Sequence, residues 1–218
     1  MTNDDSNDIL HRIEQCGVVA VIRLDSLDQA VPLAKALIAG GVTVIEFTMT
    51  NPAAVQAIAA VRSACGDACL VGAGSVINAE MVNAVHGAGT AFVVSPTTSA
   101  PVIERSQHHN LPVMPGAYTP TEIQHAWELG ADVVKVFPAR GLGPKYIKDV
   151  LAPLPHLRLM PTGGISAENI GSYIKAGVIA AGVGGALVDA TSVHTQDWDT
   201  ITARAQALTQ AVQQARGE

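Results

Sequence analysis

Lys135 stands in the run Val133-Val134-Lys135-Val136-Phe137-Pro138, an amine in the middle of an otherwise apolar stretch. The chain has five lysines, and the other four (Lys35, Lys145, Lys148 and Lys175) fall on segments that read as helices. If the run is a strand, alternation places Val133, Lys135 and Phe137 on one face and Val134 and Val136 on the other. On an inward face the amine loses water, which disfavours ammonium and leaves more free amine at neutral pH. A free amine attacks a ketone and forms a Schiff base. The alternative is a structural lysine that snorkels to a rim or pairs with a carboxylate.

Glu46 is the natural partner. It lies in Val44-Ile45-Glu46-Phe47-Thr48, and an acid between Ile and Phe needs a purpose or a counter-charge. As a purpose, it moves protons to and from a carbinolamine and a reacting hydroxyl. As a counter-charge, it neutralises Lys135. Both readings put the two side chains together.

Two Gly-rich segments, 161–166 and 182–186, allow backbone N–H groups to approach an anion. Ordinary tight turns use the same residues. Ser75, in Gly72-Ala73-Gly74-Ser75-Val76, is a hydrogen-bonding partner for a carboxylate or a cap or turn serine. Arg23, directly after an apolar run, is a carboxylate or phosphate clamp or one half of a rim salt bridge. Pro96 and Pro115 shape loops or pocket walls. The seven histidines fall on helices or flanking loops, so no zinc set is expected, and no dinucleotide fingerprint follows the first apolar run.

The elements that must hold these residues are short apolar β-branched runs alternating with helical segments. Strands are expected at 18–22, 42–47, 69–71, 91–94, 112–114, 132–137, 157–160 and 179–183. Helices are expected after a cap at Ser26 and at 52–64 (Pro52 in its first turn), 78–85, 100–108, 120–129, 144–150, 166–175 and 198–215. A further helix at about 5–15 precedes the first strand. Eight strand–helix units without a linker predict an α/β fold, a (β/α)8 TIM barrel with an extra N-terminal helix, in preference to an open doubly wound sheet. The expected organisation is one domain: N-terminal helix 1–16, barrel core 17–188 and C-terminal helix 189–218. In such barrels chemistry sits at the C-terminal ends of the strands, and phosphate sits on the loops after strands seven and eight.

Composition narrows the function class. A net charge of −6, with no basic run, argues against nucleic-acid binding. Three scattered cysteines, Cys16, Cys65 and Cys69, do not form a disulfide framework and fit buried thiols in a reduced cytoplasm. The polar, acidic residues 1–8 do not fit a signal peptide, and no apolar stretch is long enough to span a membrane.

Taken in order, the motifs V-I-E-F-T at Glu46, V-G-A-G-S-V at Ser75, V-V-S-P at Pro96, M-P-G at Pro115, K-V-F-P-A at Lys135 and P-T-G-G-I-S at Thr162 resemble those of a known family. It is that of the 2-keto-3-deoxy-6-phosphogluconate (KDPG) and 4-hydroxy-2-oxoglutarate (KHG) aldolases. The likeness runs from about Gly17 to Val188. It implies a Schiff-base lyase that cleaves a 2-keto-3-deoxy sugar acid to pyruvate and an aldehyde, glyceraldehyde 3-phosphate for the phosphorylated substrates. By position it implies Lys135 as the Schiff-base lysine, Glu46 as acid/base, Ser75 in place of a carboxylate-binding Thr, and Pro96, Phe137 and Thr162 at the substrate. It likewise implies Gly163, Gly164, Gly184 and Gly185 at the phosphate. It further implies a cofactor-free, cytoplasmic homotrimer, without nucleic-acid or membrane partners, in the Entner–Doudoroff pathway.

The chain departs from the family where many members carry an Arg four residues after the Glu. Here that residue is Thr50, and Arg23 is expected to supply the cation. Gly185 replaces a phosphate-contacting Ser, which leaves only the backbone donor. A galactonate-type or unphosphorylated substrate is thereby also open. Rival readings are another phosphate-binding barrel, such as a thiamine-phosphate synthase-like transferase or a phosphoribosyl isomerase, and a catalytically silent sugar-phosphate binder.

Overall fold

The computed structural model describes residues 3–217. Parallel strands alternate with helices along the chain. The first four are β1 (Val18–Ile22), β2 (Val44–Thr48), β3 (Leu70–Gly74) and β4 (Val93–Val94). The next is broken into β5 (Val113–Met114) and β6 (Gly116–Ala117) on either side of Pro115. A proline has no N–H to give to a ladder, so the pairing changes sides there. β5 pairs with β4, while β6 pairs with β7 (Val134–Val136). The Pro115 carbonyl still accepts the Lys135 N–H at 2.9 Å. β8 (Leu159–Pro161) and β9 (Ala181–Val183) complete the set.

The pairing orders are β5-β4-β3-β2-β1-β9 and β6-β7-β8. The continuous chain through Pro115 joins them on one side, and a Thr162–Gly182 bridge joins them on the other. The sheet therefore closes on itself as the expected (β/α)8 barrel.

Alternation along the strands divides the core in two. Val19, Val44, Val94, Met114, Val133 and Met160 share an interior cluster, and Ile9, Leu10 and Ile13 of α1 (Asn3–Cys16) join it. Their neighbours Ala20, Ile45, Val93, Val113, Val134 and Leu159 point outward, into the layer under the helices. The interior must therefore hold every second residue, including Glu46 between Ile45 and Phe47 and Lys135 between Val134 and Val136.

The helical ring consists of α2 (Ala30–Ala39), α3 (Ala54–Cys65), α4 (Ala79–Gly87), α5 (Ala100–His108), α6 (Pro120–Glu128), α7 (Gly143–Leu151), α8 (Ile170–Lys175), α9 (Ala190–His194) and α10 (Trp198–Arg216). α10 closes the ring. It buries Ile201, Ala205, Leu208 and Val212 on one face, starts at a cap where Asp197 accepts the Thr200 N–H at 3.1 Å, and ends at Gly217.

Three helix starts differ from the sequence reading, each for a local reason. α2 begins at Ala30 rather than after Ser26. A start at Ser26 would place Pro32 in the helix interior, where its missing N–H breaks the ladder, whereas the observed start leaves it in the first turn. Ser26 Oγ instead bonds Asp28, accepting its N–H and donating to its carboxylate. α3 begins at Ala54 and not at Pro52, because Asn51 Oδ1 takes the Ala53 N–H at 2.8 Å and holds a separate turn. α8 begins at Ile170 rather than Ser166, because Asn169 accepts the Ser166 N–H and donates to the Gly164 carbonyl. α9, five residues long, is too short to leave a periodic signal and was not expected.

Candidate active site

Lys135 sits at the centre of β7, and Glu46 at the centre of β2. Both point inward and meet across the barrel: Nζ lies 3.8 Å from Glu46 Oε1. Glu46 is fully buried and Lys135 is 4% exposed. Neither carboxylate oxygen of Glu46 has a hydrogen-bond donor among the described residues. A buried carboxylate needs a counter-charge, and the Lys135 amine is the one beside it. Lys135 Nζ also lies 5.2 Å from the centre of the Phe137 ring, so the amine has an acid on one side and an aromatic face on the other.

Glycines make the room. A Cβ on Gly74 would stand 1.8 Å from Glu46 Oε1, and one on Gly182 would stand 2.3 Å from Thr162 Oγ1. β3 and β9 carry no side chain at those inward positions, so the neighbouring strands can carry polar ones.

A cavity of about 1060 Å³ opens at the C-terminal ends of the strands, with Phe137 and Thr162 in its wall. Gly163 and Gly164 line it after β8, and Gly184 and Gly185 line it after β9. Gly163 and Gly164 have φ of 102° and 77°, a backbone that only glycine adopts freely. Thr162 is 6% exposed, and its Oγ1 has no partner among the described residues. Arg23 lines the cavity from the end of β1. Among the described residues it forms no salt bridge, so the rim-pair alternative has no partner here.

The remaining expected residues sit at the margins. Ser75 follows Gly74 in a left-handed backbone conformation, φ 56°. It does not cap α4: Asn78 does, accepting the Met81 N–H at 2.9 Å. Pro96 follows β4, and its carbonyl packs against Gly116, where a Cβ would stand 2.2 Å away. Thr50 is outside the cavity wall. Its hydroxyl shares a 2.9 Å bond with Thr48, which donates to the Ile22 carbonyl. Thr50 is thus tied to the end of β1, directly before Arg23.

Among the cavity residues that the sequence reading did not single out, two carry polar side chains, Arg140 and Tyr118. Arg140 lies on the 3-10 turn Ala139–Gly141, directly after K-V-F-P-A, and that nearness to Lys135 was the available signal. Tyr118 is fixed at the mouth from both sides. Its N–H donates to Glu122 at 2.9 Å, and its carbonyl accepts the Tyr146 hydroxyl. The backbone N–H groups of Thr119 and Tyr118 hold the Glu122 carboxyl below its ordinary value. Burial, then Tyr118 and Glu122, push the Tyr146 phenol up. Among the described residues no cluster of His, Cys, Asp and Glu is placed to hold a metal, and no helix is long and apolar enough to cross a membrane.

A family model described as KDPG and KHG aldolase matches residues 9–204. A 2-dehydro-3-deoxy-phosphogluconate aldolase of Treponema pallidum is 38% identical over 205 residues, covering 94% of this chain and 97% of the relative. A 2-dehydro-3-deoxy-6-phosphogalactonate aldolase of Escherichia coli is 34% identical over 197 residues, covering 90% and 96%. Among solved structures, the KDPG aldolase of Legionella pneumophila superposes with a TM-score of 0.85 at 30% identity, covering 92% of this chain and 97% of that one. That crystal holds pyruvate captured at low pH as a covalent carbinolamine intermediate.

Proposed function

The chain belongs to the KDPG and KHG aldolase family, and from that membership and the buried Lys135–Glu46 pair we propose a class I aldolase that cleaves 2-dehydro-3-deoxy-6-phosphogluconate to pyruvate and glyceraldehyde 3-phosphate. The observation that carries the reading is the 3.8 Å approach of an inward lysine amine to a buried carboxylate that has no other partner among the described residues.

Lys135 Nζ adds to the C2 ketone and gives a carbinolamine. Glu46 passes a proton to the departing hydroxyl, water leaves, and an iminium remains. Glu46 then takes the proton of the C4 hydroxyl as the C3–C4 bond breaks. Its electron pair moves into the C3–C2–Nζ system as an enamine, and the aldehyde departs. Protonation at C3 regenerates an iminium, which water hydrolyses to pyruvate and the free amine. Arg23 and Ser75 hold the C1 carboxylate, with Thr50 steadying the end of β1. Pro96 and Phe137 wall the reacting carbons, and the Thr162 hydroxyl bonds a substrate oxygen. Backbone N–H groups of Gly163, Gly164, Gly184 and Gly185 hold the phosphate, so binding far from the reacting bond orients it.

A second reading, the 6-phosphogalactonate epimer, draws support from the E. coli relative and from Thr50 in place of the arginine many members carry. 4-Hydroxy-2-oxoglutarate is a further candidate substrate within the family. We also read the chain as one cytoplasmic domain that forms a homotrimer.

The test is incubation with pyruvate and borohydride followed by peptide mass spectrometry. A reduced pyruvate adduct on Lys135 supports the assignment. An unmodified Lys135 in folded protein refutes it. Coupled pyruvate assays with the two epimers then separate the two readings.

A further inference from the structure

Among the described residues, Arg23 and Arg140 are the only charged ones that line the cavity at the strand ends, although the chain carries a net charge of −6; Phe137, two residues after Lys135, is in its wall. No acid lines it. Among the described residues neither arginine has a salt-bridge or hydrogen-bonding partner. Both arginines are exposed and line the same cavity, and two guanidinium groups on one cavity suit a ligand with an anion at each end.

The two are placed differently. Arg23 is two residues beyond Val21, which is in register with Glu46, so it lies one layer above the acid on the adjacent strand. Arg140 lies beyond the end of β7, on a turn seated on the glycine loop after β8. The Ala139 N–H donates to the Thr162 carbonyl at 2.9 Å. A Cβ on Gly164 would stand 3.2 Å from Cα, Cβ and Cγ of Arg140, so the arginine stem rests directly on that glycine. Gly164 is thus required twice, by its φ of 77° and by the Arg140 stem.

We infer that Arg140 is a specificity-determining residue, whose guanidinium binds the distal phosphoryl group of the substrate and so selects phosphorylated over unphosphorylated keto acids. This rests on the aldolase reading for the identity of the substrate. When C2 is bonded to Lys135, the carboxylate on C1 is confined to the layer of the amine and Arg23. The phosphoryl group, at the far end of the carbon chain, reaches the outer turn. The backbone N–H groups of the glycine loops contact an anion without counting its charge. Arg140 adds a full charge and a bidentate fork, which a dianion uses better than a hydroxyl does.

The test compares Arg140→Met, which keeps the stem on Gly164, and Arg140→Lys, which keeps the charge. Substrates are 2-keto-3-deoxy-6-phosphogluconate and its unphosphorylated counterpart. In Arg140→Met, KM for the phosphorylated substrate should rise about 10- to 30-fold, the loss of one charge-assisted contact. KM for the unphosphorylated substrate should stay unchanged, and Lys should restore part of the difference. Borohydride trapping of pyruvate, which has no distal anion, should proceed at the native rate. Equal changes for both substrates, or none for the phosphorylated one, overturn the inference. Failure of native protein to trap pyruvate sinks the aldolase reading instead. In that event, calorimetric titration with inorganic phosphate decides the role of Arg140. Weaker binding in Arg140→Met supports it, and equal binding rejects it.

Discussion

The Glu46 carboxylate lies against the Cα of Gly74: a methyl group there would stand 1.8 Å from Oε1 and 2.5 Å from Cδ. The acid is fully buried, so it has no solvent into which to retreat. Gly74→Ala should therefore push the carboxylate off Lys135. Overpacking of this kind costs about 1–3 kcal/mol of stability. A misplacement of about 1 Å lowers turnover on the order of 100-fold. Thermal unfolding and a coupled pyruvate assay measure both effects. Native turnover in Gly74→Ala would mean that the position of Glu46 does not matter to the reaction.

Glu46→Gln keeps the shape of the side chain and removes its ability to take a proton. Turnover should fall about 10²- to 10⁴-fold, the usual weight of a general acid–base group, with KM changed little. Pyruvate should still be trapped on Lys135, more slowly, because the nucleophile remains. Lys135→Ala should trap none. A native kcat in Glu46→Gln would remove the acid from the mechanism.

The strand order and the pair of buried charges were legible because both are local signals. An isolated Lys or Glu between β-branched and aromatic neighbours fixes its own face by alternation. What the sequence could not give is their distance, because β2 and β7 come together only when the barrel closes. Arg140 was missed for the same reason. By itself it is one more polar residue on a turn, and its interest comes from the Gly164 loop beneath it and from a cavity wall that holds no acid among the described residues. The helix starts at Ser26 and Pro52 were misjudged because cap-like residues there serve turns of their own. Ser75 kept its position at the end of β3 but lost its rival reading as a cap to Asn78.

Arg23 lines the cavity directly after Ile22, and the Thr50–Thr48–Ile22 hydrogen bonds tie Thr50 to that end of β1. If Arg23 holds the C1 carboxylate, Arg23→Ala should lower kcat/KM by about tenfold or more. The loss should be the same for phosphorylated and unphosphorylated substrates, since both carry that carboxylate. The pyruvate concentration needed for half-maximal trapping should rise in parallel. A modest loss would mean that Arg23 does not supply the carboxylate's cation, and a loss confined to the phosphorylated substrate would move it to the phosphate end.

Asp189 pins the short α9 to α10. It accepts from the Arg204 guanidinium, from the Ser192 hydroxyl at 2.7 Å and from the Ser192 N–H at 3.0 Å. The Arg204 bond, then the two Ser192 bonds, hold its carboxyl well below the usual carboxylate range. A carboxyl depressed on folding contributes stability above its unfolded value, about 3.9, and loses that contribution as pH falls toward its native value. Asp189→Asn keeps the acceptor for the Ser192 N–H and removes the charge. The side chains of the ion pair are 34% and 37% exposed, so screening limits the loss at pH 7 to about 1 kcal/mol or less. Urea unfolding of both proteins should show that gap at neutral pH and its steady shrinkage below about pH 4. A gap of the same size at every pH would assign the effect to altered packing, and the ion pair would then carry no pH-dependent stability.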